Sequence, residues 1–114
     1  MKTITEVQDF LGPFVRWASN QPDVHGVALV GSFARGEARA DSDLDLVILT
    51  DQPETYLHSM QWAEQFGKMA KHQIEDYGKL TSLRIWYQDG LDVEYGITMA
   101  GSPVFEFAVA AVIG

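Results

Sequence analysis

An α/β fold follows from three features of this chain. Apolar residues recur at helical intervals near its start, an unbroken apolar run of strand length comes next, and further on two alternating runs flank an Asp-Gly pair. A helix, a buried strand and a hairpin in so short a chain bury their apolar sides by packing helices on a sheet.

Taken in order, Ile4, Val7, Phe10, Leu11, Phe14, Val15 and Ala18 define one face of a helix over 4–19, and Thr3 with Glu6 has the spacing of a capping box. Pro13 falls inside that helix and is expected to kink or break it, because proline lacks the N–H an interior turn uses. Asn20-Gln21-Pro22-Asp23 is a turn cluster, and the run Val24 to Val30 reads as a strand ending at Gly31-Ser32. A strand that runs into glycine and then a short helix aims backbone N–H groups at one point, which suits an anion. The next strand carries Asp43 and Asp45 on one side and Leu44, Leu46 and Ile48 on the other. Asp51-Gln52-Pro53-Glu54 interrupts the chain, after which Tyr56, Met60, Trp62, Ala63 and Phe66 predict a helix over 54–66 that Gly67 ends. Residues 68–78 are polar and fit either a second helical piece or a loop. Leu80, Leu83, Ile85 and Tyr87, then Asp89-Gly90, then Leu91, Val93, Tyr95 and Ile97 predict a β-hairpin. The stretch 101–114 is apolar and is expected to pack as a strand or at an interface, which predicts a homodimer or a partner protein.

Composition narrows the class. With 114 residues and 46% apolar content the chain can build one core but not two. Cysteine is absent, which removes a disulfide framework, a thiolate zinc site and a cysteine nucleophile. No apolar stretch reaches the roughly 18 residues of a membrane span and no signal peptide opens the chain, so a soluble cytoplasmic protein is expected. A formal charge of −8 disfavours gripping a long nucleic acid, which needs clustered Lys and Arg. The acidity suits a protein that meets an anionic substrate through metal ions, and it equally serves solubility.

The chemistry concentrates in residues 31–49, GSFARGEARADSDLDLVIL. A glycine-serine turn followed by two aspartates one residue apart reads as a phosphate cradle beside a metal site. Two carboxylates side by side repel unless a cation lies between them, and Mg²⁺, which also bridges nucleotide phosphates, is the usual occupant. An EF-hand starting at Asp41 is excluded, because its sixth and twelfth positions are Leu46 and Gln52 rather than glycine and glutamate.

Gly31-Ser32, ten residues, then Asp43-Leu44-Asp45, with Ala34-Arg35-Gly36 and Asp41-Ser42 between, resembles the polymerase-beta-like nucleotidyltransferase superfamily. The likeness is greatest to its small stand-alone domains, the minimal antitoxin-type enzymes and the aminoglycoside adenylyltransferases. That resemblance implies that residues 1–114 are a single nucleotidyltransferase-like domain: a short mixed, twisted sheet with helices mainly on one face and the site at the sheet's open edge. It also implies transfer of a nucleoside monophosphate, AMP from ATP, to a hydroxyl acceptor on a small molecule or protein, with Mg²⁺ as cofactor and pyrophosphate as leaving group. Gly31 and Ser32 would hold the β and γ phosphates, Arg35 and Ser42 would lie beside the nucleotide, and Asp43 and Asp45 would ligate two Mg²⁺ ions.

In-line transfer of this kind uses two metals, so a third carboxylate is expected from a neighbouring strand. The alternation along 91–97 puts Asp92 and Glu94 together on the polar face. The segment Asp89-Gly90-Leu91-Asp92-Val93-Glu94-Tyr95 is similar to the family's, which selects Glu94 as third ligand and as the group that helps deprotonate the acceptor, with Asp92 as the alternative. Many relatives carry aspartate where Glu94 stands. The longer adenylyltransferases hold their acceptor with a further helical domain, so here the acceptor is expected to be held by another subunit, by another protein, or poorly.

The remaining polar residues have plainer readings. Arg35 and Arg39 suit phosphate oxygens but equally balance Glu37, Asp41 and Asp43. His25, His58 and His72 lie at no metal-ligand spacing and read as surface or structural histidines, and Trp17, Trp62 and Trp86 read as core or partner-facing. Two rival functions fit the same motif: an antitoxin-like interaction protein that binds a helical toxin, and a catalytically silent remnant.

Overall fold

The computed structural model describes residues 4–31, 43–78 and 80–99. Ser32, Arg35, Arg39 and Ser42, the capping residue Thr3 and the apolar stretch 101–114 therefore lie outside the described residues. Helix α1 spans Ile4–Ser19, followed by strands β1 (Val24–Val30) and β2 (Leu44–Thr50), short helices α2 (Pro53–His58) and α3 (Gln61–Glu64), and strands β3 (Met69–Asp76), β4 (Leu80–Tyr87) and β5 (Asp92–Met99). The strands form one mixed five-stranded sheet in the order β1-β2-β5-β4-β3, with β2 and β5 parallel and every other pair antiparallel.

The helices cover one face of this sheet. Val7, Phe10, Phe14 and Ala18 of α1, with Tyr56 and Ala63, bury against Leu44, Leu46 and Ile48 of β2, Val93, Tyr95 and Ile97 of β5, and Leu83, Ile85 and Tyr87 of β4. These are the alternate residues of each strand, so period-two patterning sends the intervening side chains, including Asp45, Arg84 and Glu94, to the opposite face. Phe14 is 1% exposed and lies within ring contact of Phe10, Trp17, Phe66 and Tyr95. Behind it, Tyr87 and Tyr95 share a hydrogen bond of 2.8 Å between their hydroxyls. Burial of these phenols pushes Tyr87 up to about 12 and holds Tyr95 well above its usual range.

The hairpin predicted around Asp89-Gly90 is present as β4–β5, closed by the bond from the Tyr87 N–H to the Leu91 carbonyl, with Gly90 at φ 96°. Three other expectations are corrected. Pro13 does not break α1, which runs through it. Pro13 and Asp9 are both exposed, so the turn that loses its hydrogen bond faces solvent. The single helix expected over 54–66 is two helices separated at Ser59, whose backbone is extended (φ −140°, ψ 135°). There the Trp62 indole N–H donates to the Tyr56 carbonyl at 2.9 Å, a carbonyl that a continuous helix would have given to residue 60. Residues 69–76, read as helix or loop, form β3, an outer strand paired on one side with β4 and exposed along nearly its whole length. Covered on neither face, it needs no apolar alternation and leaves no periodic signal.

Candidate active site

The site is built on the helix-free face, over β2 and β5 rather than at an edge as expected, because those two strands are interior to the sheet. Asp43 stands just before β2 and Asp45 two residues on, so the pleat projects both to this face. The parallel register places Asp45 directly beside Glu94 of β5. One carboxylate oxygen each from Asp43, Asp45 and Glu94 lie within 4.8 Å of one another, and all three residues are half-buried. Asp92 is not a member of this cluster. It sits one pleat back, opposite Trp86.

Gly31 closes the site on the β1 side. It follows Val30, which is registered against Asp45, and it has φ 75°. A Cβ there would collide with the Asp45 carboxyl, its Cγ lying 3.0 Å away. Glycine is therefore required twice over, by the left-handed backbone and by the close approach of the carboxylate.

Two residues that sequence reasoning did not select complete the geometry. Arg84 of β4, opposite Glu94, donates from Nη2 to Asp43 Oδ1 at 2.7 Å. Its Nε is buried without a hydrogen-bond partner among the described residues. The guanidinium lies 4.7 Å from the centre of the Trp86 ring, over which Lys71 Nζ also sits, at 4.3 Å. Trp86 thus belongs to the cationic side of the site, whereas Trp17 and Trp62 stack on each other at 5.1 Å beside the core. Ser82 donates its hydroxyl to Glu94 Oε1 at 2.8 Å, fixing that carboxylate's orientation. In the sequence Arg84 and Ser82 were only polar positions between the apolar residues of a strand. That alternation places them on the polar face, but only the sheet order brings them to the aspartates.

The histidines behave as expected where they are seen. His25 pairs with Asp51 on the surface at 2.7 Å, and no histidine joins the carboxylate cluster. The donor set is three carboxylates with neither nitrogen nor sulfur, which matches a hard cation such as Mg²⁺. Crowding three like charges is costly without such a counter-charge, and the Arg84 guanidinium supplies part of it.

Comparison with known proteins gives the family and the fold. A family profile described as nucleotidyltransferase domain matches residues 15–94, and the chain belongs to that family. Two Methanocaldococcus jannaschii proteins that carry the provisional name protein adenylyltransferase are similar to it, at 35% identity over 46% of this chain and 32% over 50%. The matched stretches cover 52% and 66% of those relatives, so the likeness spans roughly half to two thirds of their length. Among solved structures, an aminoglycoside 6-adenyltransferase from Bacillus subtilis superposes with a TM-score of 0.63 at 19% identity, covering 87% of this chain and 36% of its own. The polymerase core of the TRAMP RNA surveillance complex gives 0.60 at 14%, covering 84% and 32%. At such identities the likeness is one of fold, a small α/β unit with a mixed sheet and helices. Among the described residues no helix is long and apolar enough to cross a membrane.

Proposed function

We propose that this chain transfers a nucleoside monophosphate, AMP from ATP, to a hydroxyl group and releases pyrophosphate. The observation that carries the reading is the convergence of Asp43, Asp45 and Glu94 within 4.8 Å beside the glycine that ends β1. Asp43, Asp45 and Glu94 would hold Mg²⁺, which when bound would supply Lewis-acid stabilisation to the phosphate oxygens and the leaving pyrophosphate. Gly31, lacking a side chain, lets the triphosphate approach the backbone next to Asp45, and Ser32 follows it as a hydroxyl donor. Glu94 stands on the side of the cluster away from Gly31, held by Ser82, and receives the proton of the attacking hydroxyl there.

In this reading donor and acceptor take opposite sides of the cluster. Nucleotide phosphates lie toward β1, and the acceptor comes from the β4 and β3 side, where Arg84, Trp86 and Lys71 present a partly cationic surface. A protein hydroxyl is the favoured acceptor, because the relatives that match in sequence are named for protein adenylylation, whereas the aminoglycoside enzyme shares only the fold.

Isothermal titration with ATP, with and without Mg²⁺, tests the reading on the wild type and on Asp43→Asn and Asp45→Asn. Metal-dependent binding is expected in the wild type and lost in both variants, with folding retained: Asp45→Asn relieves repulsion, and Asp43→Asn relieves it while giving up the partly exposed pair with Arg84, worth about 1 kcal/mol or less. Turnover undiminished in either variant would overturn the mechanism.

A further inference from the structure

Nucleotidyl transfer needs an acceptor hydroxyl, and the chain itself presents one on the acceptor side. Of its four tyrosines, Tyr56, Tyr87 and Tyr95 are buried at 3% exposure or less, while Tyr77 is 62% exposed. Tyr77 follows β3 directly and leads into the β3–β4 turn, where Gly78 has φ 88° and its N–H bonds to the Asp76 carboxylate. Its hydroxyl donates to Glu75 Oε2 at 2.7 Å, and Gln73 donates to the other oxygen of the same carboxylate, also at 2.7 Å.

Register places this group on the face of the metal carboxylates. Glu75 is opposite Ser82, whose hydroxyl is bonded to Glu94, so the row from Glu94 through Ser82 to Glu75 and Tyr77 crosses three adjacent strands on one side of the sheet. Ser82 is itself 4% exposed and committed to Glu94, which leaves the tyrosine as the accessible hydroxyl of that row.

We infer that Tyr77 is a self-modification site, adenylylated by the protein's own nucleotidyl-transfer centre, an inference that rests on the function proposed above. The phenolic oxygen attacks the α-phosphorus of the bound nucleoside triphosphate. The bond from that phosphorus to the bridging oxygen breaks, pyrophosphate leaves with the electron pair, and the phenolic proton passes to the Glu75 carboxylate already hydrogen-bonded to it, which takes for this phenol the part that Glu94 takes for another acceptor, and on to water. The product is a tyrosyl phosphodiester to AMP, which adds a negative charge at the mouth of the acceptor side. Glu75 and Glu94 both hold the phenol above its usual pKa, so at neutral pH it reacts with the help of a base already hydrogen-bonded to it.

The full chain is incubated with ATP and Mg²⁺, and its intact mass and peptide fragments are measured. One adenylate is expected, located on Tyr77. It should be absent in Tyr77→Phe and formed about a hundredfold more slowly in Glu75→Gln, the scale of a lost general base. Titration with Mg²⁺-ATP is run on the same samples. A wild type that binds Mg²⁺-ATP, with binding lost in Asp45→Asn, yet carries no adenylate on Tyr77 overturns self-modification and leaves the proposed transfer standing. A wild type that binds no Mg²⁺-ATP overturns both.

Discussion

Arg84 and Asp43, 41 residues apart in sequence, meet at 2.7 Å at the centre of the sheet's open face. A candidate metal ligand is thereby charge-paired by the protein itself. On the function proposed above, a bound cation would compete with the guanidinium for the same carboxylate, so the pair would set both the stability of the site without metal and its readiness to take one.

Arg84→Ala is therefore expected to lower stability without Mg²⁺ by about 1 kcal/mol, a modest figure because the pair is partly exposed. It should enlarge the stabilisation that Mg²⁺ confers, since the ion no longer has to displace the guanidinium. Thermal unfolding of both proteins with and without Mg²⁺ measures this. An Mg²⁺-induced rise in Tm no greater than that of the wild type would contradict the competition.

Gly31→Ala confronts a left-handed backbone and the Asp45 carboxyl at once. A cost of about 1–2 kcal/mol in stability is expected from the backbone alone. Displacement of Asp45 should also weaken Mg²⁺-ATP binding by about tenfold or more, roughly 1.4 kcal/mol for each decade. Titration calorimetry beside denaturant unfolding separates the two effects. Unaltered binding in a folded variant would mean that Asp45 tolerates the shift.

Glu94 and Asp92 make a paired test. Glu94 lies with Asp43 and Asp45, and Asp92 does not. Glu94→Gln should reduce pyrophosphate release about a hundredfold or more, the loss of a proton acceptor, with a smaller effect on ATP binding. Asp92→Asn should leave release near wild type. The reverse order of defects would transfer the third-carboxylate role to Asp92.

Away from the site, Asp23 accepts hydrogen bonds from Tyr56 at 2.6 Å and Thr50 at 2.7 Å, tying the turn before β1 to the end of β2 and to α2. Burial pushes this carboxyl up, and the two hydroxyl donors outweigh it, leaving Asp23 below its ordinary value. A carboxylate whose pKa is depressed on folding gives stability that is complete above its unfolded value, about 3.9, and lost as pH falls through the folded value. Denaturant unfolding from about pH 6 down to about pH 3 should show that loss in the wild type and a shallower slope in Asp23→Asn. Equal slopes would remove Asp23 from the acid response.

Much of the fold was legible because each part of it rests on local rules. Helix α1 announced itself by apolar spacing, the β4–β5 hairpin by Asp89-Gly90, and the two strands of the site by alternation that buries Leu44, Leu46, Val93 and Tyr95. What misled was tertiary. The Trp62 indole captured a carbonyl and split a helix. Strand β3 exists because β4 offers it an edge, with no apolar pattern of its own.

The site divides in the same way. The sequence by itself determined the acidic pair, since residues two apart on a strand share a face whatever surrounds them. That the glycine before them admits no side chain was decided by the fold, through its left-handed backbone and the close approach of Asp45. Only the tertiary structure decided that β5 would lie parallel beside β2, which put Glu94 rather than Asp92 against the aspartates. The same sheet order brought Arg84 and Ser82 beside those carboxylates. Strand neighbours are chosen by the packing of the whole core, a non-local free energy that no stretch of the chain encodes alone.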